Sequence, residues 1–285
     1  MVRLVCAIRR IPYVYDVADI WSDAAVHATN SSVVIKVLRA IERFALRGAR
    51  SLVTISEGVA DRLKAISVDT PTVVTGFGAD TESFIFQAES SPEPLFLYAG
   101  TFTELHGASV LVEAFAEFQK SHPEYRLAFF GNGTGQAEML ALASCHGIEE
   151  SVSFHEPVSA QALNKHLNRA TASLATLLPG GGYEYAFTTK VYSSLAAGCP
   201  VIFAGPGPTQ KFLRDATRQV KAGSVTEHDP VQISLAMRAL ADRPLGLNER
   251  KELARWTAKY HSMASVANRV ARVIENASTE RLYDR

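Results

Sequence analysis

Cysteine is scarce in this 285-residue chain, with only Cys6, Cys145 and Cys199, widely separated and odd in number. They offer neither metal-ligand spacing nor a disulfide framework, which fits a reducing compartment, and packed thiols are the plain expectation for all three. An excess of either charge is also missing, since Lys plus Arg and Asp plus Glu number 29 each. The total therefore points to no nucleic-acid partner, although a local basic patch can sit inside a neutral sum. No apolar run reaches the roughly 18–20 residues that a membrane helix needs. The short apolar start, closed by Arg9-Arg10, does not resemble a signal peptide, and none is expected. A cytoplasmic protein is expected, with peripheral contact at the inner face of a membrane left open.

Hydrophobic residues are plentiful at 47%, enough for well-filled cores, and the length suits two domains or one and a fraction. Apolar β-rich runs alternate with amphipathic stretches, as in a parallel sheet covered on both faces. Strands are predicted at 13–17, 51–55, 72–75, 95–99, 126–130, 152–155, 172–177 and 201–204. Helices are predicted at about 33–46, 57–65, 108–120, 137–145, 160–168, 231–241, 249–259 and 263–275. The stretch from Ala88 through Glu89-Ser90-Ser91-Pro92-Glu93 to Pro94 breaks the periodicity and reads as a linker. Expected domains are a partial Rossmann-like one at 1–90, a complete doubly wound one at 91–245, and closing helices at 246–285.

The most informative stretch runs from Thr188 to Ile202. Thr188-Thr189-Lys190 opens a short helix that Gly198 ends, and Pro200 then starts a buried strand. Gly180-Gly181-Gly182 stands just before it. A loop opening a helix at the end of a parallel strand is an anion site, because unpaired N–H groups and the positive dipole end favour phosphate. Lys190 in the first turn opposes that dipole and gains from a bound anion; a surface lysine is the plain alternative. Thr188 and Thr189 are good N-cap types without any function. Gly131-Asn132-Gly133-Thr134-Gly135 follows a strand, but Gln136 fills the third glycine position of a dinucleotide fingerprint. A tight turn is the better reading, and an NAD-dependent enzyme is disfavoured.

These residues resemble the donor-binding helix of retaining, nucleotide-sugar-dependent glycosyltransferases of family 4, which reads Pro-Ser/Thr-Lys-Leu-x-Glu-x-Leu-Ala-x-Gly-x-Pro-Val. Ser193 stands where that family has its glutamate. The loop Gly100-Thr101-Phe102-Thr103-Glu104-Leu105-His106-Gly107 resembles the family's pyrophosphate loop, with Thr101 and His106 replacing two basic residues. His106 would add charge only below its pKa; a solvated loop histidine is the alternative. The family's first glutamate falls on Tyr185, so Glu184 is one residue early. The strand and turn at Val152–Val158, with Glu156, resemble the segment that presents backbone to the base. Asp19 and Trp21 match an Arg-Asp-Leu-Trp-Pro segment of members with lipid-linked acceptors, with Asp19 as helix N-cap the plain alternative. The stretch from Val73 to Phe84 resembles the signature closing the family's first domain.

The resemblance implies an α/β GT-B architecture: two Rossmann-like domains with the donor in the cleft, the last helices crossing back to the first domain. It implies transfer of a sugar from a nucleotide-sugar donor to an acceptor hydroxyl with retention, in cell-envelope polysaccharide or glycolipid synthesis, without a metal or other cofactor. Asp19 and Glu184 are the expected catalytic residues. Gly100, Thr101, His106, Glu156, Tyr185, Phe187, Thr188, Thr189, Lys190 and Ser193 are the expected donor contacts. Family members run longer at their beginning, so a truncated reading, a partner chain supplying the first half, and a degenerate binding subunit are all expected possibilities.

Overall fold

The computed structural model describes residues 1–29, 31–88 and 92–283, and these fall into two compact units. Residues 1–77, 185–187 and those from Ala264 onward form the first; 78–184 and 188–263 form the second.

In the first unit, α1 (Val2–Arg9), β1 (Val14–Val17), α2 (Trp21–Ala28), α3 (Ser32–Leu46), β2 (Ser51–Thr54), α4 (Glu57–Ala65) and β3 (Thr72–Val74) follow in order. The strands form a parallel sheet ordered β1-β2-β3. Ser56 caps α4, its Oγ accepting from Val59 N at 3.3 Å. Val17, Ile20, Leu46, Leu52, Val59 and Leu63 supply the core. The N-terminus of α2 is satisfied over long range, because Glu42 on α3 accepts from Trp21 N at 2.7 Å and Ser22 N at 3.2 Å. Ile20 occupies the N-cap position there, so the N-cap alternative for Asp19 is not realised.

The second unit runs β4 (Glu93–Ala99), α5 (Val110–Gln119), β5 (Arg126–Phe130), α6 (Gln136–Cys145), β6 (Val152–His155), α7 (Ala160–Arg169) and β7 (Ala170–Thr176). It continues with α8 (Lys190–Ala196), β8 (Val201–Ala204), α9 (Pro208–Thr217), β9 (Gly223–Thr226), α10 (Pro230–Asp242) and α11 (Leu247–His261). The last helix, α12 (Met263–Tyr283), leaves this unit after its first residue; in the first unit its Arg269 Nε donates to Thr75 O at 2.7 Å. The six strands are parallel in the order β6-β5-β4-β7-β8-β9, the doubly wound arrangement whose direction of winding reverses between β4 and β7. Every residue of β7 is buried, as expected of a central strand covered on both faces. Phe96, Phe115, Phe118 and Phe129 dominate the core. Arg250, 1% exposed, donates to the carbonyls of Leu167, Asn168 and Ala170 at 2.9–3.0 Å and so closes the C-terminus of α7.

Several expectations are corrected. Glu93 and Pro94 belong to β4 and not to a linker, because pairing with β7 starts at Glu93; residues 89–91 lie outside the described residues. The helices α1, α2 and α9 and the strand β9 have no counterpart among the predicted elements. Cys145 is exposed where a packed thiol was expected, whereas Cys199 is buried.

Candidate functional site

At the reversal point, the carboxyl ends of β4 and β5, with Ser173 of β7, open into a cavity of about 300 Å³. Of the expected donor residues, Gly100, Thr101, Lys190 and Ser193 line it. The loops after β4 and β5 interlock to make its floor: Phe102 N donates to Asn132 O at 2.9 Å, and Gly135 N to Phe102 O at 2.8 Å. Gly131 adopts φ 145°, and a Cβ there would fall on the carbonyl oxygen of Gly100. The glycine run is thus a tight turn that lets two backbones meet, which also explains why Gln136 is tolerated as the first residue of α6.

Lys190 is the centre of the cavity's electrostatics. Its Nζ donates to Tyr98 Oη at 2.7 Å and lies 3.9 Å from the Tyr98 ring centroid. A cation over an aromatic face is attracted by the ring quadrupole, but both partners are neutral. Burial pushes the ammonium pKa down to about 7. Tyr98, fully buried, donates in turn to Thr101 O at 3.0 Å, which ties the lysine to the β4 loop. Tyr98 was missed by sequence reasoning; its only signal was a tyrosine next to the last residue of a strand leading into a candidate phosphate loop.

The helix N-terminus itself offers less than the sequence suggests. Helix α8 has seven residues, and Thr189 at its N-cap position makes no side-chain capping bond. The N–H groups of Val191 and Tyr192 donate to Thr188 O and Thr189 O, while Thr188 N donates to Thr209 Oγ1 at 2.8 Å. These three N–H groups are engaged within the protein, and of them Thr188 N was among the donors expected to face an anion. His106 is also corrected: its Nδ1 lies 2.7 Å from Thr103 Oγ1, and burial, with the charge of Lys190 second, pushes its pKa down to about 4. The imidazole is therefore neutral at pH 7 and can offer a hydrogen bond but no charge.

Other expected residues lie elsewhere. Glu184 caps the glycine loop, its Oε1 accepting from Gly180 N at 2.6 Å and Gly182 N at 3.3 Å, and backbone N–H bonds hold its carboxyl below the usual range. Glu156 is exposed, and it is the neighbouring Pro157 and Val158 that line the cavity. Tyr185 and Phe187 belong to the first unit, where Ser56 Oγ donates to Tyr185 O at 3.5 Å. Asp19 is exposed in the bend after β1, followed closely by Trp21 at 75% exposure. Among the described residues no group of three or more His, Cys, Asp or Glu side chains is placed to hold a metal ion.

A doubly wound parallel sheet with a half-buried lysine at its reversal point places the second unit among the Rossmann-like α/β proteins. The sequence model of the Glycosyl transferases group 1 family matches residues 80–260, and the chain belongs to that family. It is 27% identical over 190 residues to the D-inositol 3-phosphate glycosyltransferase of Corynebacterium kroppenstedtii, a match covering 63% of this chain and 40% of that protein. The match thus spans less than half of that relative's length. Among solved structures, Anabaena HepE in complex with UDP superposes with a TM-score of 0.75 at 13% identity, covering 96% of this chain and 75% of HepE. Sucrose-phosphate synthase from Thermosynechococcus elongatus superposes with a TM-score of 0.73 at 16% identity, covering 96% and 70%. The fold is therefore the Rossmann-like α/β architecture of GT-B glycosyltransferases.

Proposed function

We propose that this chain binds a nucleoside-diphosphate sugar and transfers the sugar, with retention, to an acceptor hydroxyl. The observation that carries the reading is Lys190: a half-buried ammonium whose described partner, Tyr98, is neutral, in a cavity at the sheet's reversal point. A diphosphate would supply the missing counter-charge, and as the leaving group it would gain most from that charge as the glycosidic bond breaks. Thr101 and Ser193 would add hydrogen bonds, neutral His106 a further donor, and Pro157 and Val158 an apolar wall for the base. Thr188 and Thr189 shape the turn that presents Lys190. Glu184, ionised on the glycine loop, would lie on the sugar side, and Asp19 would orient or deprotonate the acceptor hydroxyl. Exposed Asp19 and Trp21 favour an acceptor linked to lipid, with the protein peripheral on the cytoplasmic face of a membrane and acting in envelope polysaccharide or glycolipid synthesis.

A second reading is favoured by Ser193 and Glu184. A serine cannot hold two ribose hydroxyls as a carboxylate does, and the Glu184 carboxylate is already occupied by backbone N–H groups. On that reading the chain binds the donor and needs a partner chain for turnover. UDP is the first probe, and at a hundredfold excess over its dissociation constant it should stabilise the protein by about 2.7 kcal/mol. No melting shift with any nucleoside diphosphate rules out both readings. Release or transfer of radiolabelled sugar by the chain alone selects the enzyme; binding without turnover selects the subunit.

A further inference from the structure

We propose, resting on the donor-binding reading above, that the donor held at Lys190 is a 2′-deoxynucleoside diphosphate sugar, with thymidine diphosphate as the carrier and Ser193 as the contact to its pentose. Helix α8 fixes where that pentose lies. Ser193 and Ser194 stand three and four residues after Lys190, so they share its face of the helix about 4.5–6 Å further along. Both line the cavity with Lys190. A diphosphate on the ammonium therefore brings its covalently attached pentose against this serine pair. The base continues across the carboxyl edge of the sheet. Strands β7 and β6 are separated by β4 and β5, about 14 Å at the usual strand spacing, and Pro157 and Val158 line the cavity after β6.

The hydrogen-bonding groups at that place are few. Ser194 Oγ donates to Ser173 Oγ at 2.9 Å, and each serine is 3% exposed, so these two hydroxyls are already paired. Thr101 and Asn132 stand on the loops after β4 and β5, and Phe102 N, donating to Asn132 O at 2.9 Å, holds those loops together at the phosphate end. Ser193 is half-buried, and among the described lining residues its hydroxyl is the one left for the pentose. None of those residues is a carboxylate; Glu156, next to Pro157 in the chain, is exposed and outside the lining. Leu163 and Leu167 of α7 add an apolar wall.

Hydroxyl count decides the nucleoside. A ribose presents two adjacent hydroxyls, which a carboxylate meets with its two oxygens and a single serine oxygen does not. The second hydroxyl would sit against leucine side chains without a partner, and an unpaired polar group in such a wall weakens binding. A 2′-deoxyribose presents its 3′-hydroxyl alone, one group for one serine. The residue that counts against a ribonucleotide is thus the complement of a deoxyribonucleotide. The methyl group of thymine adds apolar contact with Pro157 and Val158, which favours it over uracil.

The test is calorimetric titration of the full chain with UDP, 2′-deoxy-UDP and dTDP at pH 7. The three probes share one diphosphate, so Lys190 contributes equally and the affinity ratios isolate the pentose and the methyl group. Deoxy-UDP should bind roughly tenfold more tightly than UDP, within the limit of about a hundredfold by which an apolar wall rejects an added hydroxyl. The methyl group of dTDP should add about a further fourfold. Ser193→Glu supplies two acceptor oxygens and should reverse the ratio in favour of UDP. Ser193→Ala should weaken all three probes severalfold, because the 3′-hydroxyl is common to them. Far-ultraviolet circular dichroism verifies that each variant folds; if Ser193→Glu does not, the wild-type ratio and Ser193→Ala decide. UDP binding as tightly as deoxy-UDP to the wild type overturns the deoxy preference and leaves donor binding standing. A folded Ser193→Glu that keeps the wild-type ratio, or a Ser193→Ala that binds like wild type, also overturns the proposal. Failure of all three probes on the wild type overturns the donor-binding reading with it.

Discussion

Replacing Lys190 with methionine should stabilise the unliganded protein and abolish its response to UDP. Burial lowers the lysine from its ordinary 10.5 to about 7. A group whose folded pKa is depressed in this direction, for a cation, is penalised while charged; the unfolded chain then holds the extra proton. At about 1.4 kcal/mol per unit the penalty is at most about 5 kcal/mol below pH 7. It falls between pH 7 and 10.5 as the unfolded-state advantage disappears, reaching about 2 kcal/mol at pH 9. Wild type should therefore gain on Lys190→Met by roughly 2–3 kcal/mol between pH 6 and pH 9, about 3–5 °C in melting temperature for a protein of this size. UDP reverses the linkage, because its phosphates restore the ammonium. Binding at pH 8 should take up about 0.9 proton, and affinity should fall about 50-fold from pH 7 to pH 9. Differential scanning fluorimetry at three pH values, and calorimetry in two buffers of different ionisation enthalpy, measure both quantities. A melting gap that does not move with pH, or a UDP shift retained by Lys190→Met, refutes the assignment of Lys190 as the diphosphate counter-ion.

Two further substitutions test the scaffold under the site. Gly131→Ala places a methyl on Gly100 O at a φ that side chains rarely adopt, and should cost about 2–4 kcal/mol while weakening UDP binding, read by chemical denaturation and thermal shift. Arg250→Met leaves three buried carbonyls at the end of α7 without their donor and should cost about 2–4 kcal/mol with UDP affinity less affected, because Arg250 lies outside the cavity around Lys190.

The second unit was the more legible part because its inner strands β5, β7 and β8 are buried on both faces and so read as continuous apolar runs. Strands 126–130, 152–155 and 201–204 have the bounds expected of them. The elements that escaped are those without such a run. The strand β9 is Gly-Ser-Val-Thr on the sheet's edge, and α1 buries no residue at all, so neither carries the inside–outside contrast from which periodicity is read. Helix α2 escaped for another reason: its N-terminal N–H groups are answered by Glu42 from α3, and no local capping signal marks it.

The site divides along the same physical line. Lys190 was legible because its motif is local. Its state was not, because burial sets it, and that arises only once β4 and α8 are brought to the reversal point, where Tyr98, 92 residues away in the chain, meets it. His106 shows how one fact alters another: the lysine's charge, added to burial, removes the imidazolium that a lone sequence position leaves open. Of the N–H groups at the helix N-terminus, that of Thr188 is spent on Thr209 Oγ1 and those of Val191 and Tyr192 on the turn itself. Among the residues lining the cavity, the charge for an anion rests on one proton-labile ammonium. A binding site built that way must couple diphosphate affinity to proton uptake near neutrality, whereas one built on fixed arginines or on a full helix dipole would not.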